Sequence, residues 1–266
     1  MARIVLGVEY CGAGFEGWQT QRHGRTVQDG LERAVSLIAG EAVQVVCAGR
    51  TDTGVHASAQ VVHFDTGAQR PLTAWVRGVN THLPDGVVVR WSRQVADDFH
   101  ARFSATGRRY RYLLLNRPVR SALFHGRVGW FHAPLALEPM QRAAAYLAGT
   151  HDFSSFRAAE CQANSPVRTL REISVRQQGE WFVFEFEANA FLHHMIRNIV
   201  GALVYVGKGT HDADWMADLL AQRDRRRAPP TFAPHGLYLA GVDYPDRWSL
   251  PQGGRIIAPA FLPPEF

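Results

Sequence analysis

The order in which hydrophobic periodicity changes along this chain limits its fold more than any single motif does. Residues 3–10 read as a strand. Thr26 then caps a helix with Asp29 three residues on, its apolar positions Val27, Leu31, Ala34, Val35 and Ile38 keep helical spacing, and Gly40 ends it. Strands are expected at 43–48, 59–65 and 87–95, with a helix opened by Pro71 and running to about His82. That order, β-α-β-β-α-β, is the split βαβ unit. The second half repeats it: strand 109–115, helix 138–148, strands 170–177 and 181–188 joined as a hairpin through Gln178-Gly179, helix 191–207 and strand 237–243. A short extra helix at about 212–222 precedes the last strand. The chain is therefore expected to be α+β, two ferredoxin-like domains with antiparallel sheets flanking a central cleft. Their expected limits are 1–105 and 106–266, meeting near Ser104 to Arg108. The Pro- and Gly-rich stretch after Pro245 reads as an irregular extension.

Composition narrows the setting. With 266 residues, 46% hydrophobic and 20% charged, the chain can bury a core and is not a disordered polymer. Its formal charge is +5, and Lys208 is its only lysine, so nearly every cation is an arginine. Arginine suits phosphate and stacks on bases, but a GC-rich coding sequence enriches it as well, so the charge supports a nucleic-acid partner and the arginine bias is neutral. Cys11, Cys47 and Cys161 are far apart and form no CxxC, which argues against a disulfide framework or structural zinc and fits a reducing cytoplasm. The first residues run into a strand rather than a signal peptide. No stretch is a candidate membrane span: the longest apolar helix contains His193, His194 and Arg197.

One loop carries chemistry. Gly49-Arg50-Thr51-Asp52-Thr53-Gly54-Val55-His56-Ala57 holds a single acid, with an arginine two residues before it and a glycine two after. In extended backbone Arg50 and Asp52 project to one side, and a guanidinium so placed keeps a carboxylate ionised. Such an acid donates protons poorly at neutral pH but can attack an electrophile or steady a cation. The plain alternative is an Asp that only shapes a turn. Asp52-Thr53-Gly54 also spells the aspartic-protease triplet, but that chemistry needs two carboxylates sharing a proton, which neighbouring arginines oppose. A catalytically silent RNA-binding protein is the other rival.

Further candidates lie in the second half. In Arg108-Arg109-Tyr110-Arg111-Tyr112, the tyrosines share one face of a strand and Arg109 and Arg111 the other. A tyrosine facing a pocket can stack on a base and move a proton; the alternative is a half-buried strand with solvated arginines. In the helix from Phe191, Leu192, Met195, Ile196, Ile199, Val200 and Leu203 form a buried stripe. His193, Arg197 and Gly201 form a second. The pair His193-His194 lacks HExxH spacing, so no metal site is expected. Arg108 to Arg127 and Arg223, Arg225, Arg226 and Arg227 are candidate phosphate tracks. There is no P-loop, no GxGxxG opening a helix and no GxSxG.

The Asp52 nonapeptide resembles the active-site signature of the TruA family, the tRNA pseudouridine synthases A. Phe15-Glu16-Gly17-Trp18-Gln19, Phe99-His100-Ala101-Arg102-Phe103-Ser104-Ala105, Arg109-Tyr110-Arg111-Tyr112, His151-Asp152-Phe153-Ser154-Ser155-Phe156, the run from Asn189 to Gly201, and Gly236-Leu237-Tyr238-Leu239 follow in that family's order. The resemblance implies an isomerase converting uridine to pseudouridine at tRNA nucleotides 38, 39 and 40, in the anticodon stem-loop. It implies no cofactor and no metal, and a cytoplasmic homodimer with tRNA lying across both subunits. It also implies Asp52 as nucleophile, Tyr110 stacking on the target base and moving a proton, and Arg197 as the basic partner of the aspartate. Arg50 would help fill the space left by the flipped base, and Leu237 would pack the pocket.

Overall fold

The computed structural model describes residues 1–251. The described chain is α+β, with mostly antiparallel strands and few helices, and forms two compact units: Met1–Thr106 with the described residues from Tyr238, and Gly107–Leu237. Among the described residues no helix is long and apolar enough to cross a membrane.

In the first unit, β1 (Ala2–Tyr10) pairs antiparallel with β3 (His56–Thr66) on one side, Leu6 opposite Val62, and with β4 (Val87–Val95) on the other. The short β2 (Val46–Cys47) adds to the outer edge of β3, giving the order β4-β1-β3-β2 of a split βαβ unit. The same edge of β3 also takes β10 (Leu237–Asp243), in parallel, with Tyr238 opposite His56 and Leu239 opposite Ala57. Helix α1 (Val27–Ala39) starts where the sequence places it. Thr26 Oγ1 accepts from the Asp29 N–H at 3.2 Å and donates to its carboxylate, while Gly40 closes the helix at φ +76°. Val27, Leu31, Ala34 and Val35 form its buried face.

Two elements differ from the expected ones for local reasons. The strand expected over 43–48 shrinks to two residues because α1 side chains capture its backbone: the Val43 N–H donates to Ser36 Oγ at 3.0 Å and the Val45 N–H to Glu32 Oε1 at 2.9 Å. The helix expected from Pro71 carries a π-helical turn at Ala74–Gly78, where fully buried Trp75 sits edge-on to Phe64.

The second unit is built on β5 (Gly107–Asn116), β6 (Gly129–Phe131), β7 (Gly149–Asp152), β8 (Val167–Gln178) and β9 (Trp181–Ala188). Its antiparallel order is β5-β9-β8-β7, with β6 parallel to β5. The expected β8–β9 hairpin forms, turning at Gly179 (φ +55°) and Glu180 rather than at Gln178-Gly179. Helices α2 (Leu137–Ala145), α3 (Met195–Gly207) and α4 (Trp215–Gln222) complete the unit. Helix α3 begins four residues later than its apolar pattern suggests, because His194 takes left-handed backbone at φ 61°. Of the extension after Pro245, Asp246–Trp248 forms a 3-10 turn whose Trp248 is buried against Phe99; the remainder, beyond 251, lies outside the described residues.

Candidate active site

The Asp52 loop leaves the sheet after β2 and returns to it at β3, and it is tied down at nearly every step. The Ala48 N–H donates to Val61 O at 2.8 Å, Gln60 Nε2 to Gly49 O at 2.7 Å, and the Trp18 N–H to Thr51 O at 3.0 Å. The Tyr10 hydroxyl bonds Thr51 Oγ1 at 2.8 Å and accepts from Gln60 Nε2 at 3.4 Å. Tyr10, Thr51 and Gln60 are all buried, so this is a water-excluded polar network in which each lost bond leaves an unpaired group. The turn itself closes through the Val55 N–H to Asp52 O at 3.1 Å, with Gly54 at φ +78°.

Side chains alternate as extended backbone requires: Arg50 is exposed, Thr51 buried and Asp52 half-buried. The loop's inner residue is thus an anchor, and its two charged residues point away from the core. A second layer holds the return to β3. The Gly12 N–H donates to His56 Nδ1 at 3.0 Å, and the His56 ring stacks on Tyr238 at 4.5 Å. Backbone crowds closely here. A Cβ on Gly17 would lie 3.1 Å from Thr51 O and 3.2 Å from Thr53 N.

The second unit carries the other three candidates. Tyr110 stands on β5, half-exposed, its ring edge-on to Phe191 at 5.1 Å. Its neighbour on the same face, Tyr112, is a core residue: fully buried, its hydroxyl donates to Ala233 O at 2.8 Å, and burial pushes its phenol far above the ordinary range. Only Tyr110 of the pair is therefore placed to meet a ligand. Arg111, on the opposite face, is bound by Glu185 at 2.5 Å. Arg197 lies in the first turn of α3, its Nε donating to Phe232 O at 2.9 Å while the Phe232 N–H returns a bond to Arg197 O. Leu237 is buried at the start of β10.

The candidate phosphate track at 223–227 loses one of its arginines to the interior, while Arg223, Arg226 and Arg227 stay exposed. Arg225 turns inward, donating to Ala228 O, to Asn198 Oδ1 at 3.1 Å and to Thr231 Oγ1 at 3.1 Å. Asn198, with no exposed surface, also donates to Phe156 O at 2.8 Å. Arg226 is clasped by Asp224, whose carboxyl that guanidinium, with a backbone N–H, lowers to about 2. Arg223 lies 3.7 Å from Asp152. The sequence also gave little warning of Tyr10 and Gln60 as supports of the Asp52 loop. Their one signal is Gln60 itself, an amide directly before the apolar pair Val61-Val62.

The sequence profile of a family described as tRNA pseudouridine synthase matches residues 7–104 and 143–245. Proteins named tRNA pseudouridine synthase A are similar to this chain over nearly their full length. The protein of Dechloromonas aromatica is 64% identical over 94% of this chain and 95% of its own length. That of Aromatoleum aromaticum is 61% identical over 98% and 99%, and that of Methylobacillus flagellatus 59% over 95% and 97%.

Proposed function

The chain belongs to the tRNA pseudouridine synthase family, and on that footing we propose that Asp52 is its nucleophile and that its targets are tRNA nucleotides 38, 39 and 40 of the anticodon stem-loop. As a tRNA pseudouridine synthase it is an isomerase, turning uridine in tRNA into pseudouridine. The bond from uracil N1 to ribose C1′ breaks, the base turns, and C5 bonds C1′. C5 loses a proton and N1 gains one, so no atom is added or lost. Detaching the base calls for a carboxylate that can bond to an electron-poor carbon or steady its charge, as in retaining glycosidases. The observation that carries the assignment is a half-exposed Asp52 on a loop whose Gly49 and Thr51 are bonded into the unit's interior. A nucleophile must be reachable and held still, and this arrangement supplies both.

In this reading residues 1–105 carry the catalytic loop and 106–266 the substrate-binding residues of the second half. The uridine leaves its stack to react. Arg50 helps fill the space it vacates, Tyr110 stacks on the base and moves a proton, and Arg197 and Leu237 add a cation and an apolar wall. The enzyme works as a homodimer in the cytoplasm. To test the assignment of targets, unmodified tRNA carrying uridine singly at position 38, 39 or 40 is incubated with enzyme and pseudouridine is mapped by chemical labelling. Product at each of the three positions is expected; product at none of them, or only elsewhere in the tRNA, overturns it.

The support network gives its own prediction. Tyr10→Phe deletes the hydroxyl that joins Thr51 to Gln60 without touching the solvent side of the loop. We expect kcat to fall about tenfold, as for the loss of roughly 1.4 kcal/mol of positioning, with KM unchanged. An unaltered kcat in steady-state assays would mean that Trp18 and Gln60 hold the loop by themselves.

A further inference from the structure

On the first unit a column of rings runs out of the core and ends in solvent. Phe99, with no exposed surface, meets His63 edge-on at 6.0 Å; His63 lies 4.9 Å from His100; and His100 stacks on Phe103 at 4.3 Å with 30° between the planes. Phe103 is 75% exposed, and the Arg102 guanidinium sits 5.5 Å from its ring centre. The segment that presents it is fixed. His100 Nδ1 accepts from the N–H groups of Arg102 and Phe103 at 3.1 and 3.2 Å, and Ser104 Oγ accepts from the His100 N–H at 2.9 Å. Beneath them the Ala101 N–H donates to His63 Nδ1 at 3.2 Å, and the Tyr244 hydroxyl to Ala101 O at 2.6 Å. Burial, with His100 and Arg3 beside it, holds His63 down at about 4, and burial, with Arg3 and Arg102, lowers His100 as well.

We propose that Phe103, flanked by Arg102, is a stacking platform for an unpaired base of the tRNA, distinct from the uridine that is isomerised. An exposed ring already held in one orientation loses little entropy on binding, and a ring with an adjoining guanidinium offers what single-stranded RNA takes up, a face for a base and a cation for its phosphate. Two acids of this corner are matched by other arginines, Asp65 by Arg3 at 2.6 Å and Asp98 by Arg247 at 3.9 Å, so neither ties up the Arg102 cation beside the ring. The segment is also tied to the strand pair that leads into the Asp52 loop: Ala101 bonds His63, which pairs with Val46 of β2. The inference rests on the reading that the substrate is a tRNA loop with unpaired bases.

Steady-state kinetics on one tRNA, with Phe103→Ala, Phe103→Leu and Phe103→Trp, test it. Because the ring is exposed, all three variants should keep the wild-type Tm. We expect KM to rise about tenfold for Phe103→Ala with kcat within about twofold, Phe103→Trp to restore KM, and Phe103→Leu not to. An unchanged KM for Phe103→Ala overturns the platform. So does full rescue by Phe103→Leu, which would make the contact merely apolar, or a change in oligomeric mass on sedimentation, which would make it a protein contact. Gel-shift affinity for the same tRNA is measured alongside. It reads the platform even if no product forms at nucleotides 38–40, and so separates its failure from that of the target assignment.

Discussion

Replacing Asp52 by asparagine is expected to cut pseudouridine formation by at least about 10⁴-fold while leaving tRNA affinity within about threefold. Asparagine keeps the size and shape of the side chain but carries no negative charge and cannot act as the nucleophile. Bonds that hold the loop run through Gly49 O, Thr51 O and Thr51 Oγ1, all of which persist in the variant. Lost turnover with binding kept therefore points to the charge of Asp52 rather than to the shape of the loop. Single-turnover assays at saturating enzyme, paired with filter binding, separate the two terms. A variant that modifies tRNA at the normal rate removes Asp52 from the nucleophile's role. A variant that fails to bind would show instead that the carboxylate organises the RNA surface.

The second large effect is expected from a residue with no functional group at all. A Cβ on Gly12 would lie 2.1 Å from Val55 O and 2.6 Å from Val55 C, with no side chain free to swing aside. Gly12→Ala must therefore displace backbone. If the 11–15 segment retreats, the Gly12 N–H loses its bond to His56 Nδ1; if Val55 retreats, the turn that closes on Asp52 O shifts with it. The cost in stability is expected to be about 1–3 kcal/mol, in the range of core overpacking. The fall in kcat at a temperature where the variant stays folded should exceed what that loss accounts for. Gly14→Ala is the control: nothing stands within 4 Å of its Cβ, so denaturant unfolding should place it within about 0.5 kcal/mol of wild type. Should both variants unfold at the same denaturant concentration as wild type, the close approach at Val55 has no energetic weight.

Much of this architecture could be read from residues adjacent in sequence. The Thr26 cap, Gly40 at the end of α1, and strands β4, β9 and β10 depend on local pattern, and the structure has them where that pattern puts them. The alternation that sets Arg50 and Asp52 apart from Thr51 was legible for the same reason. What escaped depends on partners far along the chain. Nothing near Val45 says that Glu32 will take its N–H. Nothing near Arg225 says that it will spend its donors on Asn198 and Thr231 instead of on phosphate. Tyr10 and Thr51 meet across 41 residues, a contact that periodicity cannot encode. The two tyrosines of β5 were alike in sequence, and only the packing of Ala233 and Phe232 over Tyr112 tells them apart.

The parallel pairing of Tyr238 and Leu239 with His56 and Ala57 has a consequence for how the protein is made. The strand that follows the Asp52 loop is complete on its outer edge only when a segment far along the chain arrives beside it, bringing the ring that stacks on His56. A ribosome must therefore translate past Leu239, and release that stretch from its exit tunnel, before the loop has its final surroundings. Nascent chains and premature termination products carry the Asp52 loop without this clamp. The final surroundings of the Asp52 loop are thereby coupled to the synthesis of residues 237–243, and a copy stopped short of them lacks both the outer neighbour of that strand and the ring over His56.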